Sequence, residues 1–507
     1  MPSSRGAVRA GRPGPAPAAG PAVRPADPGP PALLALPLAR RTGAAAAREF
    51  GAAGMSEAAN AWAADADRRY RASTELRELR GAEGAAVRVG VKDIVDAAGF
   101  ATRLGLRDYR HHPRASARVL RGLRGVVVNA KLVTPELSIG LEHGCVNPYF
   151  PHLAPSGSST GSAVAVAANI CDIALGTDSV ASIRLPAAAC GVVGLRMTHR
   201  PRLLDRVFPL SPPLDSPGWL ARTAEDLEHF WLTSGIAGTL AGAPGGAGRP
   251  VGRVFRIGLV EEALRDPCAP QVRQAVDRLC GALADAGHRV VPVRPDAVTR
   301  WRGATYELCS RTAWDAYRAR REEFAPRLAD STRVALEAGA AVGDRRYGEL
   351  LDALRGSRAV VPGLFAEAAV DVWLMPVTPA LPRAVSRPSG SASTMPDPGD
   401  PDYELRVGWS PVASWAGLPA ITLPVAVDAV HRAPIAVQAV GPAGSEPALI
   451  ALAREITRLV GGPLPALAEA AEASAASEAS EASEHLDAPE RPASPQTPAV
   501  PEEGALP

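Results

Sequence analysis

Residues 156–196 read SGSSTGSAVAVAANICDIALGTDSVASIRLPAAACGVVGLR. Two turns of small residues, around Ser158 and around Ser182, enclose an Ala/Val run that fits a closely packed helix at 162–168 and a strand at 173–176. Turns rich in Gly, Ser and Ala let backbone N–H groups approach a substrate. A serine attacks a carbonyl only when one group takes its proton and others hold the oxyanion. This stretch is therefore the candidate reaction centre.

Outward from it, strands and helices alternate. Strands are expected at Ala86–Val91, Gly125–Asn129, Val254–Val260, Arg289–Val293, Asp371–Met375 and Ala420–Val425, and helices at Ala115–Leu123 and Pro270–Ala286. This pattern predicts one large α/β domain with a mostly internal sheet. Residues 300–355 have helical spacing and resemble an insertion, and 380–403 read as a long loop. Residues 1–55, rich in Pro, Ala, Gly and Arg, are expected to be disordered, with the native start near Met55. Pro31–Ala39 only weakly mimics the apolar part of a signal peptide and is not read as one. From residue 464 the chain becomes an Ala/Glu/Ser and then Pro-rich acidic tail, also expected to be disordered.

A net charge of +2 over 507 residues gives no reason to expect a nucleic-acid partner. No run of about 18 apolar residues predicts a membrane span. The six cysteines form no Cys-x-x-Cys pair or zinc-ligand spacing, so neither a metal nor a disulfide framework is expected. They read as buried, reduced thiols of a cytoplasmic protein.

None of the nine histidines sits in a recognisable Ser–His setting. The other available base is a lysine made neutral by burial. Lys92 and Lys131 each end an apolar strand, and either fits; the alternative for both is a lysine whose stem carries its charge to the surface.

The motifs GVKDIVDAAG (90–99), KLVTPEL (131–137), Asn147-Pro148, GSSTGS (157–162), LGTDSVASIRLPAA (175–188), CGVVGLR (190–196) and LDSPGWLARTAED (214–226) together resemble the amidase signature family of serine hydrolases. Looser similarity extends over roughly residues 60–460. The resemblance implies a single large domain at 56–463 with a mixed central sheet covered by helices. It further implies a Ser-Ser-Lys triad, with Ser182 as nucleophile, Ser158 as bridging serine after a cis bond from Gly157, and Lys92 as base. By the same resemblance the N–H groups of Ser179, Val180, Ala181 and Ser182 hold the oxyanion. Asp178 and Arg184 brace the turn, and Ser159 and Lys131 support the site by hydrogen bonding. The substrate is then a small amide or ester, no cofactor is needed, and a homodimer is the base-rate expectation.

Two departures from the family pattern stand out. Val180 and Ala181 replace two glycines before the nucleophile, and Ser156 and Thr160 stand where glycines are usual. A β-branched residue is ill suited to positive φ, so either a narrowed pocket or a weakened oxyanion cradle is expected. Two other readings stay open at this point: an acyl or amide transferase using the same acyl-enzyme, and a non-catalytic member of the fold. The segments 200–212, 300–360 and 380–410 are the expected seat of specificity. Tyr306, Trp314, Tyr317, Tyr403 and Trp409 read first as packing residues and second as a site lining.

Overall fold

A computed structural model describes residues 30–140, 144–240, 254–265, 267–385, 401–462 and 464. Eleven strands among the described residues form one mixed sheet, ordered β1-β3-β2-β4-β6-β5-β10-β11-β9-β7-β8. The strands are β1 Ser73–Leu76, β2 Val87–Lys92, β3 Val126–Leu132, β4 Ile173–Asp178, β5 Val193–Arg196, β6 Ser216–Ala221, β7 Arg256–Leu259, β8 Arg289–Pro292, β9 Val372–Pro376, β10 Ala420–Asp428 and β11 Ala433–Val440. β2 runs parallel to both β3 and β4, whereas β6, β5, β10 and β11 alternate antiparallel.

Both faces of the sheet are covered, and its central strands β2, β4, β6, β5 and β11 are buried at every residue, polar ones included. On one face lies the helix Thr160–Ala167, buried at every residue. Its small side chains permit close approach: a Cβ on Gly161 would come within 2.4 Å of the Ala72 carbonyl and 2.5 Å of the Val133 nitrogen. The helix Ala52–Tyr70 closes this layer, with Trp62 donating to the Ala168 carbonyl at 2.8 Å. On the other face pack Ala224–Thr233, Pro270–Asp285 and Glu446–Leu459. The second starts with Pro270 at its first turn and buries Val272, Ala275, Val276, Leu279 and Leu283, the three-to-four spacing of an amphipathic helix. The expected insertion is helical, with Arg302–Arg318 and Asp344–Glu367 its longest elements.

Three expectations need correction. Residues 30–55 are not uniformly disordered. Ala32–Ala35, Leu38–Arg41 and Ala44–Phe50 are helical, Leu33, Leu34 and Leu38 are buried, and Arg41 pairs with Asp172. The leucines cluster at 33–38, so the average composition of the segment hides a docking patch; residues 1–29 lie outside the described residues. At the other end Leu464 is buried against Gly191, so the packed body includes it, and the rest of the tail lies outside the described residues. The helix expected at Ala115–Leu123 is a single turn, Arg118–Leu120. There the first backbone N–H groups bond neighbouring loops, Ala117 N to Asp96 O at 2.8 Å and Arg118 N to Asp205 O at 3.1 Å, and only one turn bonds within itself. Of the expected 380–403 loop, residues 386–400 lie outside the described residues.

Candidate active site

β2 and β4 are adjacent and parallel, with Val91 opposite Leu175. Their carboxyl ends, Lys92 on one and Thr177-Asp178 on the other, therefore emerge side by side, where open α/β sheets place their ligand sites. The two turns from the sequence meet above this edge. Ser159 N donates to the Ser182 carbonyl at 3.0 Å, and the Gly157–Ser158 bond is cis. Ser159 Oγ and the Thr177 backbone exchange bonds of 3.2 and 3.3 Å, which pins the first turn to the end of β4. Gly176 makes room for this: a Cβ there would lie 2.8 Å from Ser159 Oγ.

Lys92 is completely buried, and its Nζ lies 2.8 Å from Ser158 Oγ and 3.0 Å from Thr177 Oγ1. Loss of hydration brings its ammonium down to about 7, against the opposing pull of the Asp178 and Asp215 charges. The site thus holds a lysine that is substantially neutral near pH 7, in contact with a serine hydroxyl. Ser182 is the only residue from Ile173 to Thr198 that is not fully buried. Ser182 is thus the half-buried exception in an otherwise closed stretch.

Lys131 is a brace with no contact to either serine. β3 pairs Lys131 with Val91 and Leu132 with Lys92, so the two lysines leave the sheet on opposite faces. Lys131 bonds the Val95 carbonyl and Thr102 Oγ1 and lies 3.5 Å from Asp93.

Asp178 organises the second turn. Its two oxygens take a bidentate pair from Arg184 at 3.0 and 2.9 Å, a bond from Arg196 at 2.9 Å and one from Ile183 N at 3.3 Å. These cations hold its carboxyl well below the usual carboxylate range despite burial. Arg184 reaches on to Gln438 Oε1 at 2.8 Å, Ser414 Oγ at 2.9 Å and the Val180 carbonyl at 2.9 Å. With the Val180 carbonyl tied back in this way, Ser179, Val180, Ala181 and Ser182 all have negative φ. The second turn therefore needs no glycine, and the positive φ to which Val180 is ill suited does not occur there. The first turn does carry strain: Ser156 has φ +60°, and Thr160 Oγ1 donates to its carbonyl at 2.7 Å.

Sequence reasoning assigned no role to Thr177, Asp215, Arg196, Ser414 or Gln438. Asp215, next to β6, accepts from Ser179 Oγ at 2.5 Å. Thr177 and Asp215 lie inside motifs already quoted. Gln438 lies in VQAVG (437–441), a stretch of looser family similarity, and nothing local marks Ser414; both reach the site only through the fold. A cavity of about 190 Å³ opens beside the two turns, meeting them through Ser156 and Leu185, and is lined on its other side by Thr378 and by residues 380–383, Asp402, Leu405 and Arg406 of the third variable segment. Tyr317, Tyr403 and Trp409 are buried packing residues. Among the described residues there is no group of three or more His, Cys, Asp or Glu able to hold a metal ion, and no helix long and apolar enough to cross a membrane.

A family model described as Amidase matches residues 38–450. Among curated relatives, the putative amidase AmiB2 of Mycobacterium bovis is 32% identical over 73% of this chain and 81% of its own length. The 2-amino-5-chloromuconic acid deaminase of Comamonas testosteroni is 31% identical over 66% and 69%. The mandelamide hydrolase of Pseudomonas putida is 29% identical over 75% and 79%. Among solved structures, an amidase crystal structure superposes with a TM-score of 0.68 at 26% identity, covering 83% of this chain and 98% of the other. A 6-aminohexanoate cyclic dimer hydrolase gives 0.71 at 20%, covering 84% and 97%, a likeness of fold.

Proposed function

This chain belongs to the amidase signature family, and from that premise we propose that it hydrolyses small carboxylic amides, and esters of similar shape, through an acyl-enzyme on Ser182. The observation that carries the reading is the completely buried Lys92, 2.8 Å from Ser158 Oγ and brought down to about 7. Neutral Lys92 takes the Ser158 proton as Ser158 takes that of Ser182, and Ser182 Oγ attacks the substrate carbonyl carbon. The N–H groups of residues 179–182 receive the charge that develops on the carbonyl oxygen. Collapse of the adduct breaks the C–N bond. The proton returns through Ser158 to the leaving amine, and water then attacks the ester along the same relay, releasing the acid and freeing Ser182.

Asp178, Arg184 and Ser159 hold the turns, and Lys131 acts one layer further back. The negative φ values at Val180 and Ala181 support a working cradle over a non-catalytic one. The free cysteines favour a reducing compartment, the cytoplasm. Ammonia release from a panel of aliphatic and aromatic primary amides tests the reading. We expect turnover by the wild type and none by Ser182→Ala with an unchanged circular dichroism spectrum. Undiminished turnover by Ser182→Ala would overturn it.

A further inference from the structure

We propose that Asp215 is a positioning residue for acylation: its carboxylate holds Ser179, the first residue of the oxyanion cradle, and so sets where the cradle's N–H groups lie. The proposal rests on the reading of Ser182 as the nucleophile.

Asp215 is buried, and four hydrogen bonds converge on its two oxygens. Oδ1 accepts from Ser179 Oγ at 2.5 Å and from Ser211 N at 3.0 Å; Oδ2 accepts from Ser211 N at 3.0 Å and from Leu210 N at 3.1 Å. Every partner is a donor, the pattern an ionised carboxylate satisfies. The placement follows from the sheet. β4 and β6 pair antiparallel with Asp178 opposite Ser216, their last backbone pair. One residue further, Ser179 and Asp215 face each other, and the side-chain bond continues the ladder into the cradle. The anchor is itself held, because Thr312 Oγ1 of the helix Arg302–Arg318 donates to Ser211 Oγ at 2.8 Å. Ser179 is thus tied to a rigid strand end and through it to the helical layer. Fixed donors of this kind need no rearrangement when charge develops.

The charged and titratable groups around Asp215 are Lys92 on β2, Arg196 on β5, Cys309 on the helix Arg302–Arg318, and His199, whose Nδ1 lies 2.8 Å from the Asp215 carbonyl oxygen and beside which Arg358 stands. Asp215 is therefore one of two anions that favour the protonated form of Lys92. Replacing it with Asn leaves the shape but removes the charge and turns an amide NH2 toward the Leu210 and Ser211 N–H groups. Ser179→Ala removes only the hydroxyl and keeps the cradle N–H.

The test is inactivation by a fluorophosphonate probe, followed by intact mass, with kinact and KI separated and kinact measured against pH for wild type, Asp215→Asn and Ser179→Ala. Because phosphonylation also places an oxygen in the cradle, kinact should fall about tenfold or more in both variants, with KI nearly constant. In Asp215→Asn the limb on which kinact rises with pH should also move to lower pH, because an anion that favoured the Lys92 ammonium is gone; in Ser179→Ala it should stay. A Ser179→Ala protein labelled at the wild-type rate overturns the proposal, and decides the matter alone if Asp215→Asn does not fold. A slowed Asp215→Asn with an unmoved pH limb makes Asp215 a packing residue and overturns it as well. A folded wild type with no adduct at Ser182 overturns the acyl-enzyme reading, and this proposal with it.

Discussion

Lys92→Met should change the pH dependence of folding in a way that reports the charge on Lys92. The folded protein holds this lysine at about 7, against 10.5 for an ordinary one. Above pH 10.5 it is neutral in both folded and unfolded chains and costs nothing. As pH falls from there, the unfolded chain binds a proton that the folded protein does not, and stability drops by about 1.4 kcal/mol per pH unit. Below about 7 both states are protonated, and the accumulated cost levels off at about 5 kcal/mol. Methionine keeps the unbranched stem and does not titrate. It also leaves Ser158 Oγ and Thr177 Oγ1 without their Lys92 contacts, at about 1–3 kcal/mol each, but that cost does not vary with pH. The readout is therefore the difference between variant and wild type at two pH values. From pH 10 to pH 8 the variant should gain about 2–3 kcal/mol on the wild type in urea unfolding followed by tryptophan fluorescence. A difference constant within about 0.5 kcal/mol over that range, against the slope expected from linkage, would refute a neutral buried lysine.

Asp178→Asn leaves the buried Arg184 and Arg196 without their shared anion and should cost about 3–5 kcal/mol of stability; a loss below about 1 kcal/mol in the same urea assay would contradict the assigned pairing. A chain begun at Met55 loses the Arg41–Asp172 pair and the Leu38 N–Asp226 bond at 2.7 Å, so its melting temperature should fall by several degrees in differential scanning calorimetry. An unchanged melting temperature would mean that residues 30–54 add nothing to the fold. Val180→Gly should lower stability by about 2–4 kcal/mol through lost packing and added chain entropy, while fluorophosphonate labelling stays close to the wild-type rate. A marked rise in that rate would show that Val180 obstructs the cradle.

The candidate edge could be picked out in the sequence because the features that mark it are local. The small-residue turns around Ser158 and Ser182, the apolar run into Lys92 and the alternating pattern of β2, β3 and β4 can each be read within a dozen residues. The choice between Lys92 and Lys131 was not legible from the residues alone, because it depends on the β2–β3 register, which sends one side chain to each face. β6 and β11 were missed because Pro217, Gly218 and Pro434 look like breakers; as strands each is paired on both sides. Ser414 gave no signal and Gln438 only the looser family similarity of 437–441; both contact Arg184 from more than 200 positions away. The N-terminal helices escaped because a short leucine cluster is stable only when a surface exists to receive it, and composition cannot show that surface.

The central claim is that Lys92, made neutral by burial, activates Ser182 through Ser158. Its most direct test is the pH dependence of Ser182 labelling by a fluorophosphonate, in the wild type and in Lys92→Ala. The rate should be low while Lys92 is protonated and rise through an apparent pKa of about 7 as the lysine becomes a base. In Lys92→Ala the limb should vanish and the rate should fall by about 100-fold or more, the scale of a lost general base. A wild-type rate that is flat from about pH 5 to 9, or a Lys92→Ala protein labelled as fast as wild type, would contradict the account.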